Sequence, residues 1–215
     1  TIAEELHSSP TGLAVDIDDC LSQTSNGYFD FLHAHFPAPD YLSKELFRKH
    51  YALTGIALHW QSIPNAYDLL KTKVNCPKFH YQLPPIPDAI TQTNKLHTNN
   101  LFTCYLTARP ETMRDITQRW LHEHNFPQKP LIMRHNDIGF TLHKEWKTHI
   151  LHTLHTHIIG IIDNDTRILS HLQQQNYSGH MYLFGLSPHE YNGNGTITVR
   201  ETWPEITEAI IRDHL

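Results

Sequence analysis

The stretch Leu13–Thr24, LAVDIDDCLSQT, decides how the chain is read. An apolar run, Leu13-Ala14-Val15, ends abruptly in three carboxylates, Asp16, Asp18 and Asp19, and turn-forming residues follow from Ser22 to Ser25. This is the pattern of a buried strand that delivers acids to a loop. Carboxylates this close repel one another, and like charges sharing a site raise a pKa or call for a cation, of which a divalent metal is the simplest. The same residues also suit an Asp-rich turn at a strand end, because Asp side chains bond to nearby backbone. On this stretch alone the two readings stand side by side.

Working outward, residues 1–11 read as a frayed lead-in. From Asn26 to about Asn75 the periodicity is helical and rich in aromatics, with Tyr28, Phe29, Phe31, Leu32 and Phe36, then Tyr41, Leu42, Leu46 and Phe47, then Ile63 to Leu70. Cys76–Pro87 is a proline-rich return segment. Beyond Pro87 the rhythm alternates. A helix is expected over 88–98, a strand over 101–106, a helix over 111–124, a strand over 131–134 and a helix over 142–156. A strand over 158–162, a helix over 166–175 and a strand over 180–184 complete the series. Such alternation predicts an α/β fold, a Rossmann-like parallel sheet with helices on both faces, joined by right-handed crossovers. Residues 1–25 and 86–215 then form the core domain, and 26–85 a helical cap inserted after the first strand.

Open parallel sheets bind ligands beyond the carboxyl ends of their strands, so the strand ends are compared. The first ends at Asp16; the second at Thr107, with Arg109 behind it; the fourth at Asp163, Asn164 and Asp165. Lys144 and Lys147 fall near the start of a helix, where a cation opposes the helix dipole and wants an anion nearby. Each has an ordinary reading: Thr107 a strand-end hydroxyl, Lys147 a surface lysine, Asp163 and Asp165 a helix cap. Their joint occurrence, in this order and on this topology, singles out a site.

Composition narrows the function classes. The 215 residues, 39% hydrophobic and 18% charged, suit an ordinary globular chain, with no apolar run able to span a membrane. A net charge of -5 with scattered Lys and Arg offers no footprint for a nucleic acid polymer. Cys20, Cys76 and Cys104 form neither a disulfide framework nor a zinc set, which points to a reducing compartment, with cytoplasm as the expectation. No basic-then-apolar signal opens the chain, although its first residue is Thr1 rather than Met, which leaves a removed leader open. Among 19 histidines, His143, His149, His152, His155 and His157 crowd one stretch. They alternate with Lys and Thr without a completing Cys or carboxylate set, and read as a solvated face rather than a metal site.

These strand-end residues resemble the four motifs of the haloacid dehalogenase superfamily of phosphohydrolases, along nearly the whole chain. Asp16-Ile17-Asp18 matches the Asp-x-Asp motif, Thr107 the second, Lys147 the third, with Lys144 in reserve, and Asp163-Asn164-Asp165 the fourth. LPPIPDAI (83–90), YLTARPETMRDITQRWL (105–121), IIDNDTRIL (161–169) and TVRETWPEITEAI (198–210) are similar to the small 5'(3')-deoxyribonucleotidase-like members. Two departures are Asp19, where many members have Gly, and Cys20, where many have Thr or Val; Asp19 is read as a turn residue and Cys20 as packing. The resemblance implies a Mg2+-dependent phosphatase acting on small phosphomonoesters, nucleoside monophosphates among them. Asp16 is the implied nucleophile, forming an aspartyl-phosphate, and Asp18 the acid/base. Thr107, Lys147 and Arg109 are the implied phosphate-binding residues, with the cap or a salt bridge equally open to Arg109. The Asp16 carboxylate, the Asp18 carbonyl and Asp163 are the implied metal ligands, with Asp165 and Asn164 behind them. Of Tyr28, Phe29 and Phe31, one ring is available to stack on a base and the others to pack the cap. The alternatives are a catalytically idle binding or regulatory protein on the same fold, and a phosphatase for sugar or other metabolite phosphates.

Overall fold

In a computed structural model, which describes residue 6 and residues 11–55, 57–191 and 196–215, the chain is built on a parallel sheet. Most of the 1–11 lead-in lies outside the described residues. The strands are β1 (Gly12–Val15), β2 (Phe102–Pro110), β3 (Leu131–Arg134), β4 (Ile158–Asp163), β5 (His180–Phe184) and β6 (Ile197–Arg200). Their order is β3-β2-β1-β4-β5-β6, every neighbouring pair parallel. This is a doubly wound arrangement whose order reverses between β1 and β4, and there the crevice opens that such sheets use for ligands.

Alternation along the buried strands sorts side chains to two faces. Leu13, Val15, Tyr105, Ile162 and Tyr182 join one apolar cluster, into which α5 (Ala89–Thr98), α6 (Arg114–Glu123) and α9 (Trp203–His214) pack through Leu96, Trp120 and Ile206. Ala14, Cys104, Leu106, Ile161 and Leu183 join the other, covered by α7 (His143–Thr153) and α8 (Thr166–Gln174) through Leu151, Ile168 and Leu172. Helices therefore lie on both faces, as the alternating pattern predicts. β6 and α9 add a strand and a helix beyond the predicted series. A capping box, in which Thr202 and Glu205 satisfy each other's backbone donors, starts α9.

Between β1 and β2 run α1 (Thr24–His35), α2 (Lys44–Thr54), α3 (Ala66–Val74) and the short α4 (Pro77–Tyr81). They gather a third apolar cluster around Phe29, Phe47 and Trp60, with ring centroids 5.3–5.8 Å apart. The α4 helix begins at Pro77, whose fixed φ suits a first helical position, so the proline-rich return segment opens with one short helix, Pro77–Tyr81. α2 is seated on the sheet side by four contacts. Arg48 Nη1 donates to the Gly185 carbonyl at 2.9 Å, Lys49 meets Glu190 and Glu201 at 2.9 and 3.0 Å, and Thr166 Oγ1 donates to the Ala52 carbonyl at 3.2 Å. These partly exposed pairs orient more than they stabilise.

The loop after β1 is held from behind. Trp203, 1% exposed, donates Nε1–H to the Cys20 carbonyl at 2.7 Å. Trp203→Phe keeps the ring and orphans that buried carbonyl, so it is expected to lower stability by about 1–3 kcal/mol. A reduced urea midpoint at unchanged slope checks this; an unchanged midpoint contradicts it.

Candidate active site

The first strand stays paired one residue past its end, where Asp16 N–H donates to the Ile162 carbonyl at 3.0 Å. This fixes Asp16 beside the end of β4. The chain then turns back: Leu21 and Ser22 N–H both donate to the Ile17 carbonyl, and Asp19 takes a left-handed φ of 58°. Asn, Asp and Gly tolerate that region best, which suits an Asp at this position. The Asp19 carboxylate accepts from Ser25 N–H at 2.7 Å and from the Ser25 hydroxyl, satisfying the first turn of α1. Burial pushes it up to about 6. It is a turn and capping residue, as expected. Cys20 is fully buried, and burial with nearby Asp16 and Asp163 holds its thiol protonated.

Lys147 ties the sheet ends together. It lies one turn into α7, is 1% exposed, and places Nζ 2.7 Å from Asp16 Oδ1 and 2.7 Å from Asp163 Oδ2. Lys144 is only half-buried. Burial would lower the Lys147 ammonium, but the two carboxylates outweigh it and raise it. Burial pushes the Asp16 carboxyl up, Lys147 pulls it back, and Asp163 and Asp18 add to the rise. The cluster thus holds more carboxylate than ammonium. Asp163 Oδ1 accepts from Asp165 N–H at 2.9 Å, and Asp165 caps α8 by accepting from Arg167 N–H. Asn164 Oδ1 faces the Cys20 thiol at 3.8 Å, and Asp165 faces His143 Nε2 at 3.7 Å.

Asp18 is clamped. Arg109, 3% exposed, grips it bidentately, with Nη2 to Oδ1 at 2.8 Å and Nε to Oδ2 at 3.0 Å. Thr24 Oγ1 donates to Oδ1 at 2.7 Å, and His80 Nδ1 stands 3.5 Å away while Nε2–H donates to the Val74 carbonyl. Burial alone would raise the Asp18 carboxyl, but Arg109 and His80 outweigh it and hold it well below the usual range. Of the partners open to Arg109, the structure shows the salt bridge, to the Asp18 carboxylate. Thr107 is fully buried, and its Oγ1 accepts from Arg109 N–H at 3.3 Å.

These groups open on a cavity of about 100 Å³, lined by Asp16, Asp18, Lys147, Asp163 and Asn164 from the sheet side and by Tyr28, Tyr51 and Asn75 from the inserted helices. Tyr28 stacks on Phe79 at 5.4 Å, Phe29 packs within the inserted helices, and Phe31 lies under Lys73. His143 and Arg167 also line the wall, whereas His149 and His155 are exposed, so the histidine stretch divides between pocket and solvent. His80, Tyr51, Asn75, His143 and Arg167 carry no signal in the strand-end pattern. Pro77 at a helix start is the cue that would have placed His80 on a helix.

Among the described residues no group of three His, Cys, Asp or Glu side chains surrounds one point. Asp16 and Asp163 are two hard-oxygen donors already drawn to one cation, with the Asp18 carbonyl the third in the implied set, and this suits Mg2+, which keeps several waters.

No family model and no curated relative matches the chain. Solved structures do. One is a provisionally assigned phosphoglycolate phosphatase of Lactobacillus delbrueckii subsp. bulgaricus, with a TM-score of 0.58 at 12% identity, covering 94% of this chain and 98% of that one. Another, a HAD-superfamily hydrolase of Ehrlichia chaffeensis, has a TM-score of 0.48 at 13% identity, covering 95% of this chain and 97% of that one. At such identity the first of these speaks for the fold alone, a parallel α/β sheet flanked by helices and shared through nearly the whole of both chains.

Proposed function

We propose that the chain is a Mg2+-dependent phosphatase of haloacid dehalogenase type that hydrolyses small phosphomonoesters through an aspartyl-phosphate. Residues 1–25 and 86–215 serve as its core and 26–85 as its cap. The observation that carries this reading is Lys147, buried and 2.7 Å from carboxylates delivered by two different strand ends at the switch point of the sheet. A binding protein has no need to hold such a charge-rich contact in its interior.

Asp16 is the nucleophile: its oxygen bonds to phosphorus as the bond to the leaving oxygen breaks, and the leaving oxygen takes the electron pair and a proton from Asp18. Asp18 then removes a proton from water, whose oxygen attacks phosphorus, frees inorganic phosphate and returns the Asp16 carboxylate. Clamped by Arg109, Asp18 is ionised and set for the water step; the first step requires it to be protonated as the fork loosens. Lys147 neutralises phosphoryl oxygens, and the Thr107 hydroxyl at the neighbouring strand end is the proposed hydrogen-bond donor to one of them. The Asp16 carboxylate, the Asp18 carbonyl and Asp163 hold Mg2+, which offsets the charge of the phosphoryl group when bound. Asp165 and Asn164 support the fourth strand end.

A cavity of about 100 Å³ favours a small leaving group, well below the 300–1,000 Å³ or so of drug-sized sites. A nucleoside monophosphate is the second reading, favoured by the Tyr28 and Tyr51 rings in the wall, since an aromatic ring stacks on a base. A panel of sugar phosphates, nucleoside monophosphates and an aryl phosphate, run with Mg2+ and with EDTA, tests both. Phosphate release that falls at least about 100-fold in EDTA and returns with excess Mg2+ is expected. Release indifferent to EDTA overturns the metal assignment, and no release on any substrate overturns the phosphatase reading.

A further inference from the structure

One cation in the pocket wall keeps a donor without an acceptor among the described residues. Lys147 is engaged by Asp16 and Asp163, and Arg109 by Asp18. Arg167, the second residue of α8, is fixed by Asp165, to which its Nε and Nη2 donate at 2.8 and 2.7 Å. That leaves Nη1 with no acceptor among the described residues, on a side chain 32% exposed that lines the same cavity as Asp16. The end of α2 is shaped around it. Gly55 caps α2 in the left-handed region at φ 69°, and a Cβ there would fall 1.6 Å from Nη1 and 2.4 Å from Cζ. A side chain at position 55 would displace the guanidinium from this place, and the left-handed φ already favours glycine there.

A planar guanidinium with one edge taken and further donors idle recognises an ionised acceptor best, because charge-assisted hydrogen bonds are roughly twice as strong as neutral ones. The phosphoryl group itself has Lys147. Resting on the phosphatase reading above, we infer that Arg167 is a specificity-determining residue that receives a second anionic group, a carboxylate or a second phosphate, on the leaving-group side of the substrate. The small cavity sets that group within a few atoms of the phosphoryl ester. Substrates of this class rank ahead of esters of neutral alcohols, nucleosides and simple sugars included.

The test compares kcat/KM for short phosphomonoesters of matched length ending in a carboxylate, a phosphate or a neutral hydroxyl, in the native protein and in Arg167→Met and Arg167→Lys. The native protein is expected to prefer at least one anionic ester over the neutral one by about tenfold or more, and the preferred ester names the group. In Arg167→Met that ratio falls to within about threefold, with Arg167→Lys between, because lysine keeps the charge and loses the fork. No preference in the native protein, or a ratio that survives in Arg167→Met, overturns the proposal. So does an equal loss on all three esters, which marks a purely structural role through Asp165. No release from any ester, an aryl phosphate included, overturns the phosphatase reading itself.

Discussion

Asp16→Asn is expected to abolish turnover, lowering kcat by at least about 10³-fold with the fold intact, because the amide is a poor nucleophile and forms no acyl-phosphate. The substitution keeps the side-chain volume and still offers an oxygen to Lys147 Nζ, which stands 2.7 Å from Asp16 Oδ1. It also removes a carboxylate that burial and its acidic neighbours push up. The stability of the variant should therefore hold or rise while activity disappears. This opposite movement separates a chemical role from a structural one. Retained hydrolysis at near-native rate would contradict it.

Lys147→Met is expected to damage both stability and activity. It leaves Asp16 and Asp163, 6% and 1% exposed, facing one another without their shared ammonium. Breaking a buried pair by removing one partner costs about 3–5 kcal/mol, since the uncompensated charge stays behind. Adding Asp163→Asn removes one of the two stranded carboxylates and should recover part of that stability, read as a urea midpoint. Activity should not return with it, because the phosphoryl oxygens still lack the Lys147 ammonium, a loss of about 10²–10³-fold, and Asp163→Asn also takes a carboxylate from the proposed metal ligands. A single variant of native stability, or a double variant that recovers turnover, would contradict this account of Lys147.

Much of this arrangement was legible in the chain for physical reasons. Buried parallel strands read as short, largely apolar runs, and LAV, LFTCYL, IIGII and MYLF are such runs, the middle two standing between helices. Acids following such runs mark the carboxyl ends, which is why Asp16 and Asp163 were found from spacing. β6 was not, because Ile197–Arg200 is a four-residue edge strand with alternate residues half-exposed, and so it lacks the fully apolar run. The partners of Arg109 were out of reach for another reason. Its position behind Thr107 says that it sits at the strand end, but whether a guanidinium there meets phosphate or carboxylate depends on the path of the 16–25 loop, which turns Asp18 toward it. His80 and Arg167 are missed because their contacts join the inserted helices to the sheet, across sequence separations that local periodicity does not encode.

The clamp on Asp18 has its own mechanistic weight. A general acid works best with a pKa near the working pH, yet Arg109 and His80 hold this carboxyl far below it. The same three residues connect β2, the loop after β1 and α4 of the inserted helices.

The most direct test of the central claim is to trap the phosphoryl group. The protein is mixed with its best phosphomonoester and Mg2+, quenched in acid during turnover, digested and mapped by mass spectrometry. The account predicts a phosphoryl group on the peptide spanning LAVDIDDCLSQT, localised to Asp16, discharged by hydroxylamine and absent in Asp16→Asn. Turnover with the phosphoryl group carried on any other residue, or with none trapped while Asp16→Asn remains active, would contradict it.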